Sequence, residues 1–283
     1  MGRDNSSMSE TGWHWDPTLY AGSARYYPRG RVPYPMALAD ELTRELGLNG
    51  TGRLLDVGCG PGSLTLLLAD RFAQVVGVDA DPEMIDEARE RARLAGVHNA
   101  VWAAMRAEQL PATLGSFLVV TFAQSFHWMQ RDLVAGAVRT MLVPGGACVH
   151  VHATTHQGVG DDTVLPHPRP PRPEIEELIR RYLGPQRRAG RGVLSQTASG
   201  EDEVYQAAGF ADRRRIEIAG RPVDRTADEV VASVFSLSSS TPHLFGDRRP
   251  EFERELRELL RAASPAGVFS EQMRTIAVDV WRA

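Results

Sequence analysis

The sequence predicts an α/β fold, a doubly wound, mostly parallel sheet of seven strands with an inserted lid. Three observations predict it. Short apolar runs alternate with helical stretches between residues 53 and 153, the pattern of parallel strands joined by crossover helices. The first strand runs into a glycine-rich turn, "GCGPG" (58–62), and from there straight into a leucine-rich run. Two further strand-like runs follow residue 210. Right-handed crossovers leave few topologies, and such sheets bind ligands beyond the carboxyl ends of their strands, where the strand order reverses.

Each element has a local cause. "GRLLDVG" reads as a buried strand because it is short, apolar and ends at glycine, and "QVVGVDA" reads likewise. Between them "GSLTLLLADRF" has leucines at helical spacing. "DPEMIDEARERARLAG" opens on Asp81 as N-cap with Pro82 at the first helical position, carries acids early and arginines late, and closes on Gly96. "AVWAAM", "SFLVVTFA" and "ACVHVHA" supply three more strands, the last preceded by the helix "RDLVAGAVRTML" and a "VPGG" turn. Beyond residue 153 the pattern loosens into a proline- and arginine-rich stretch with one short helix near 173–183. It reads as a lid rather than a second folded domain. "ADRRRIEIAG" and "TIAVDVW" are the late strands, and "DEVVASVFSLS" and "RPEFERELRELLRAA" are helices.

Bulk properties narrow the class. The 283 residues fit one large α/β domain or two small ones, enough to bury a core without staples. A net charge of −4 argues against nucleic acid as the main partner. Two cysteines, Cys59 and Cys148, suit a reducing cytoplasm. No apolar run is long enough to span a bilayer. The polar opening "MGRDNSSMSETG" lacks a signal-peptide core and is expected to be a disordered tail. All 32 basic residues are arginine, which excludes Schiff-base chemistry and the lysine of a P-loop.

The glycine turn has a mechanical purpose. Gly58 and Gly60 can adopt positive φ and let a ligand touch the main chain, and the helix that follows offers free N–H groups. A tight turn with no ligand is the plainer alternative. Among ligands, dinucleotides and S-adenosylmethionine compete. The dinucleotide fingerprint puts its third small residue five places after the first glycine; here Ser63 stands there and Gly62 comes at four, with Asp56 just ahead of the loop. Asp79 ends the second strand, 21 residues beyond Gly58. Since Asp81 already serves as N-cap, Asp79 is available to accept both hydroxyls of a ribose.

The spacing D-x-G-x-G-x-G, the segment "MRAEQLP" (105–111) after strand three, "TFAQSFHWM" (121–129) at the end of strand four and the arm "ARYYPRGRVPYP" (24–35) together resemble class I S-adenosylmethionine-dependent methyltransferases. Within that family they are most similar to the small-molecule branch, type 11 or UbiE-like, of bacterial specialised metabolism. The resemblance is strong over residues 24–153 and only architectural beyond. It implies a Rossmann-like methyltransferase fold, S-adenosyl-L-methionine as cofactor, S-adenosyl-L-homocysteine as product, and a small-molecule acceptor in natural-product biosynthesis. O-, N- and C-methylation all stay open. It implies a cytoplasmic monomer or homodimer with no nucleic-acid or membrane partner and no metal. A methyltransferase fold recruited to other catalysis, an NAD-type oxidoreductase and an RNA methyltransferase are the rival readings.

Carried over by residue, the resemblance assigns the cofactor to Tyr27, Arg31, Asp56, Gly58, Cys59, Gly60, Gly62, Asp79, Ala80, Met84, Ala107, Glu108, Gln124 and Ser125. Family members often have an acid where Arg106 stands, so Ala107 and Glu108 are expected beside the adenine. In the arm, an arginine can pair in two prongs with the methionine carboxylate, and Tyr26 or Tyr27 can cover the sulfonium. Of Arg25, Arg29 and Arg31, the last matches the family best. His127 is the candidate catalytic base, since imidazole titrates near neutrality; with Trp128 it could instead simply pack the pocket. His150 and His152 alternate on a strand and so face one way. Trp128, His152, His156 and His243 are candidate acceptor contacts. The basic run "PQRRAGRG" (185–192) either meets an anionic acceptor or is solvated. The expected layout is residues 1–33 as tail and cofactor-covering arm, 34–153 as cofactor-binding core, 154–210 as lid insertion, and 211–283 as strands and helices completing the sheet and acceptor pocket.

Overall fold

A computed structural model describes residues 16–186, 188–189, 192–193 and 200–283. The expected N-terminal tail lies outside the described residues, as do residues 187, 190 and 191 of "PQRRAGRG". From the arm onward the chain forms a short helical turn, α1 (Tyr27–Gly30), and then α2 (Met36–Leu46), β1 (Arg53–Val57), α3 (Ser63–Leu68), β2 (Gln74–Asp79), α4 (Pro82–Leu94), β3 (Ala100–Ala104), β4 (Phe117–Ala123), α5 (Arg131–Met141) and β5 (Leu142–His152). The second half holds α6 (Arg172–Leu183), the two-residue pair β6 (Arg188–Ala189) and β7 (Gly192–Val193), and α7 (Glu201–Ala207). It ends with β8 (Ala211–Ile218), β9 (Pro222–Thr226), α8 (Ala227–Phe235), α9 (Pro242–Phe245), α10 (Arg249–Ala263), β10 (Val268–Gln272) and β11 (Ile276–Arg282).

The main sheet has seven strands in the order β3-β2-β1-β4-β5-β11-β8. The first five run parallel, β11 lies antiparallel between β5 and β8, and β8 therefore shares the direction of β5. The sheet is α/β and doubly wound, as expected. Its strand order reverses between β1 and β4, which opens a crevice at their carboxyl ends. Strands β1, β2 and β4 carry apolar side chains on both faces because both faces are covered. α5 and α7 cover one face, where Val134, Ala135, Val138 and Tyr205 meet Leu55, Val57, Val120 and Phe122. α2 and α3 cover the other, where Leu38, Leu42, Leu64 and Leu68 meet Leu54, Val75 and Val119. The outer strand β8 exposes Arg213, Arg214 and Arg215, charges that discourage a further strand from pairing there.

A second apolar cluster stands apart from the sheet. Ile175 and Leu178 of α6, Val231 and Phe235 of α8, Phe245 of α9, and Phe252 and Leu256 of α10 form the core of a helical cap. The cap therefore draws on both the stretch expected as a lid and the stretch expected to complete the sheet. α7 falls inside the former, yet its Tyr205 is fully buried under the sheet, stacked 5.0 Å from Phe126.

The cap has a charged floor. β9 pairs antiparallel with β10, and this ribbon carries Arg225 and Glu271, both buried. Glu271 takes ion pairs from Arg172 at 2.9 Å and Arg225 at 3.1 Å. Arg225 also donates to the carbonyls of Gly30, Glu229 and His156. Charges so buried persist only when fully hydrogen-bonded, and here the bonds join arm, cap and the loop after β5 in one knot. The arm is keyed into the cap just as tightly. A Cβ at Gly30 would collide with the α8 backbone at Ala232 and Ser233. Gly30→Ala is expected to lower stability by about 1–3 kcal/mol, the cost of overpacking a closed seam, read from the urea midpoint; an unchanged midpoint would show that the seam yields freely.

Candidate functional site

The loop after β1 is built by three glycines with three different tasks. All have positive φ, +69° at Gly58, +52° at Gly60 and +74° at Gly62, which other residues adopt only with strain. At Gly58 a side chain would overlap Ser125. At Gly62 a Cβ would lie 2.6 Å from the Trp102 ring. Only at Gly60 would a Cβ meet nothing within 4 Å. Gly58 and Gly62 thus let the loop pack, while Gly60 leaves bare main chain toward open space.

Two aspartates fix that loop. Asp56 of β1 is buried, and its carboxylate accepts from Thr65 Oγ1 at 2.6 Å and Thr121 Oγ1 at 2.7 Å, tying β1 to α3 and β4. Burial raises its pKa, and the two hydroxyls oppose the shift. Asp79, at the end of β2, accepts from Gly60 N–H at 2.8 Å and from Asp81 N–H at 2.9 Å. Burial outweighs both amides and pushes its pKa up to about 6. Asp81 caps α4 by accepting from Glu83 N–H at 2.8 Å, as its sequence position predicts. Cys59 is buried beside them, and burial raises its thiol pKa far above the ordinary range.

The ends of β3 and β4 complete the rim. Glu108 accepts from Gln130 N–H at 3.0 Å and from Arg106 Nε at 3.2 Å, bracing its turn against the start of α5. Gln124 adopts φ +59°, a strained conformation for a residue other than glycine. Its amide reaches the Val151 carbonyl. Ser125 Oγ donates to the Val57 carbonyl at 2.6 Å.

These groups share one cavity of about 810 Å³ at the carboxyl edge of the sheet. Of the residues assigned to the cofactor, Tyr27, Arg31, Asp56, Gly58, Cys59, Gly60, Asp79, Ala80, Met84, Ala107, Glu108, Gln124 and Ser125 line it, as does Trp128. Gly62 does not line it and packs against Trp102 instead. The arm roofs it, but Arg31 is already committed. Its Nε and Nη2 donate to Ser236 Oγ and O, both at 2.8 Å, and its guanidinium lies 4.6 Å over the Tyr27 ring. Leu19, Tyr20, Tyr34, Arg91 and Thr155 also line the cavity; none was legible in the sequence, since the irregular stretch around Tyr20 and Tyr34 carries no periodicity, and Arg91 on α4 and Thr155 after β5 reach the wall only through the fold. Tyr20 stands edge-on to both Tyr27 and Trp128 at 6.4 and 6.3 Å, and burial raises its pKa. The Trp128 indole nitrogen is buried beside Tyr20.

The histidines are placed elsewhere. His127 follows β4 with its ring 4.8 Å from that of Trp128, but it is not part of the cavity wall. His150 and His152 do face one way, with rings stacked at 4.2 Å. His152 pairs with Asp279 at 3.0 Å, which Arg215 also holds, and burial lowers the His150 pKa to about 3. His156 offers its carbonyl to Arg172 and Arg225. His243 is exposed and meets the Ala21 carbonyl at 3.2 Å. None of these three lines the cavity, so as acceptor contacts they find no support in its wall. Among the described residues no cluster of three or more His, Cys, Asp or Glu is arranged to hold a metal.

A glycine turn, a β2 carboxylate and strand-end residues thus surround a crevice at the point where the strand order reverses, the place where α/β sheets of this topology bind ligands. Residues 54–146, about a third of the chain, match the family described as a methyltransferase domain. The methyltransferase Rv3342 of Mycobacterium tuberculosis, itself uncharacterised, is 35% identical over 146 residues, 51% of this chain and 56% of that protein. The chain thus spans about half the length of such curated relatives. Trans-aconitate 2-methyltransferase of Rhodococcus jostii is 40% identical over 84 residues, 29% of this chain and 30% of that one. The fold is shared with the YcgJ protein of Bacillus subtilis, with a TM-score of 0.50 and 17% identity over 88% of this chain and 98% of that one.

Asp79 gives a pH signature to the protein without ligand. Its folded pKa of about 6 lies above the ordinary 3.8, so the folded state binds its proton more tightly than the unfolded state does. Its contribution to stability is full below about pH 4 and lost as pH rises through about 6. Relative to Asp79→Asn, the wild type is expected to lose stability across that window in urea titrations; parallel profiles would contradict the assignment.

Proposed function

We propose that the protein transfers a methyl group from S-adenosylmethionine to a small-molecule acceptor. One observation carries the reading: the cavity brings the bare main chain at Gly60, the Asp79 carboxylate, the Ala107–Glu108 turn and the Gln124–Ser125 strand end against a single space. The residues fit the cofactor, since Gly60 presents open backbone where a side chain would meet nothing, beside the Asp79 carboxylate. The loop and arm would hold the amino-acid half, Asp79 the ribose hydroxyls, and Met84, Ala107 and Glu108 the base.

Bound there, the cofactor supplies a methyl on sulfonium with a good leaving group. The chain's share is to align the acceptor, exclude water and remove a proton. Tyr20, Tyr27 and Tyr34 of the arm roof the space and keep water out. His127 stands just outside the wall with its ring 4.8 Å from that of the wall residue Trp128, and in this reading its imidazole turns into the cavity to take the acceptor's proton. Arg31, Arg91 and Arg106 in the wall, together with the partial likeness to a trans-aconitate 2-methyltransferase, make a carboxylic acid the first acceptor to assay. The finer reading is natural-product biosynthesis in a reducing cytoplasm, which the unpaired, buried Cys59 and Cys148 support. No described helix is long and apolar enough to cross a membrane.

Calorimetry against S-adenosylhomocysteine and NAD decides between this reading and an oxidoreductase; tight binding of NAD alone would refute it. Asp79→Ala is expected to weaken S-adenosylhomocysteine binding by about 1.5–3 kcal/mol, the scale of hydrogen bonds to a charged group. Unchanged affinity would mean that another residue holds the sugar. His127→Ala is expected to lower turnover about 100-fold and spare cofactor affinity; full activity would reduce it to a packing residue.

A further inference from the structure

The arm is one helical turn thick and borders two cavities. Tyr27, Pro28 and Arg31 line the large one. Arg25, Tyr26 and Arg29 line a second, of about 320 Å³, closed on its other side by α8 and α10. Each set follows i, i+1, i+4 spacing, and the sets are offset by two residues, which puts them on opposite sides of one turn.

The second cavity is cationic. Arg25, Arg29, Arg249 and Arg257 surround it, against Asp228 and Glu253. Asp228 serves Arg257 at 2.7 Å and Arg29 at 3.5 Å. Glu253 serves Arg257 at 2.9 Å and Arg249 only at 3.9 Å. Arg249 instead donates to the Tyr26 hydroxyl. Arg25 lies 4.9 Å over the Tyr26 ring and pairs with no carboxylate among the described residues. The walls thus hold a surplus of two positive charges, with guanidinium forks whose donors are only partly used. A fork of that kind recognises planar or tetrahedral oxyanions in two-pronged fashion. The small volume and the two carboxylates on its rim exclude a polyanion.

We propose that this cavity is a binding site for a small dianion, a phosphate monoester or dicarboxylate, whose occupancy is linked to the large cavity through the shared arm. Arg25 and Arg249 grip the ligand beside Tyr26. Arm and cap are locked together at Gly30 and Arg225, so a ligand held between α1, α8 and α10 acts on the same body that presents Tyr27 and Arg31 to the other side. Linkage is reciprocal, so a dianion and a nucleoside ligand would change each other's affinity by one common factor.

The test titrates inorganic phosphate and, separately, succinate into the full-length protein at low ionic strength by calorimetry. Saturable one-site binding by at least one probe is expected, and the probe preferred tells phosphate from dicarboxylate chemistry. Arg25→Ala, an exposed and therefore fold-tolerant change, is expected to weaken that binding about tenfold. Arg106→Ala, in the wall of the large cavity, is expected to leave it unchanged. No saturable binding, or binding that Arg106→Ala removes and Arg25→Ala spares, overturns the site. The linkage rests on the proposed nucleoside reading. S-adenosylhomocysteine affinity is expected to change about fivefold or more when the preferred probe is saturating, and equal affinity overturns the linkage. Failure of S-adenosylhomocysteine to bind at all refutes the proposed function and is told apart by an anion titration that still responds to Arg25.

Discussion

The hydrogen bond from Gly60 N–H to the Asp79 carboxylate holds the site together. It runs from the loop of the first strand to the end of the second, across a pair of strands whose other end is tied by Arg53 Nε donating to Gln74 Oε1 at 2.8 Å. Asp56 does the same toward the other side, reaching Thr65 and Thr121. Between them the two carboxylates fix where the loop lies relative to β2 and β4. Both sit where burial opposes their charge, so the bonds they accept are the condition for keeping a carboxylate there. A loop of three positive-φ glycines would otherwise be the most mobile part of the sheet edge.

The arm and cap obey a different constraint. The sheet is held by apolar burial on both faces, whereas the arm is held by one buried guanidinium. Arg225 reaches Gly30, Glu229, His156 and Glu271 at once, and Gly30 abuts α8 where no side chain fits. The arm therefore belongs mechanically to the cap, although it precedes the sheet in the chain. Arg31 extends the same attachment by two bonds to Ser236.

This division explains what the sequence disclosed. Parallel strands buried on both faces must be continuous apolar runs, so β1, β2 and β4 announce themselves, and the glycine spacing and Asp81 announce the turn and the cap that follow them. The ribbon β9–β10 is the opposite case. "PVDRT" and "VFSEQ" are polar because their task is to hold Arg225 and Glu271 in a closed ion network, and no periodicity signals that. Glycine spacing likewise gave the loop but not the separate tasks within it, since these depend on Ser125 and Trp102, which are distant in sequence. Arg31 was read for its charge; its partner, Ser236, lies 205 residues further along the chain.

The same contrast bears on how the large cavity can open. Its floor is the loop and strand ends, braced by Asp56, Asp79 and Glu108. Its roof is the arm, which cannot lift alone without unpairing the Gly30 carbonyl and leaving the Arg225 guanidinium buried and short of a partner, a costly state in a water-poor seam. The roof is therefore set to move with the cap as one body. The connections from the cap to the sheet are few, chiefly the segment after β5 and the turns flanking the β9–β10 ribbon, so the free energy of opening is concentrated there rather than in the roof itself. A ligand that touched only the floor could not influence that motion, whereas groups contacting Tyr20, Tyr27 or Tyr34 would act on the whole cap.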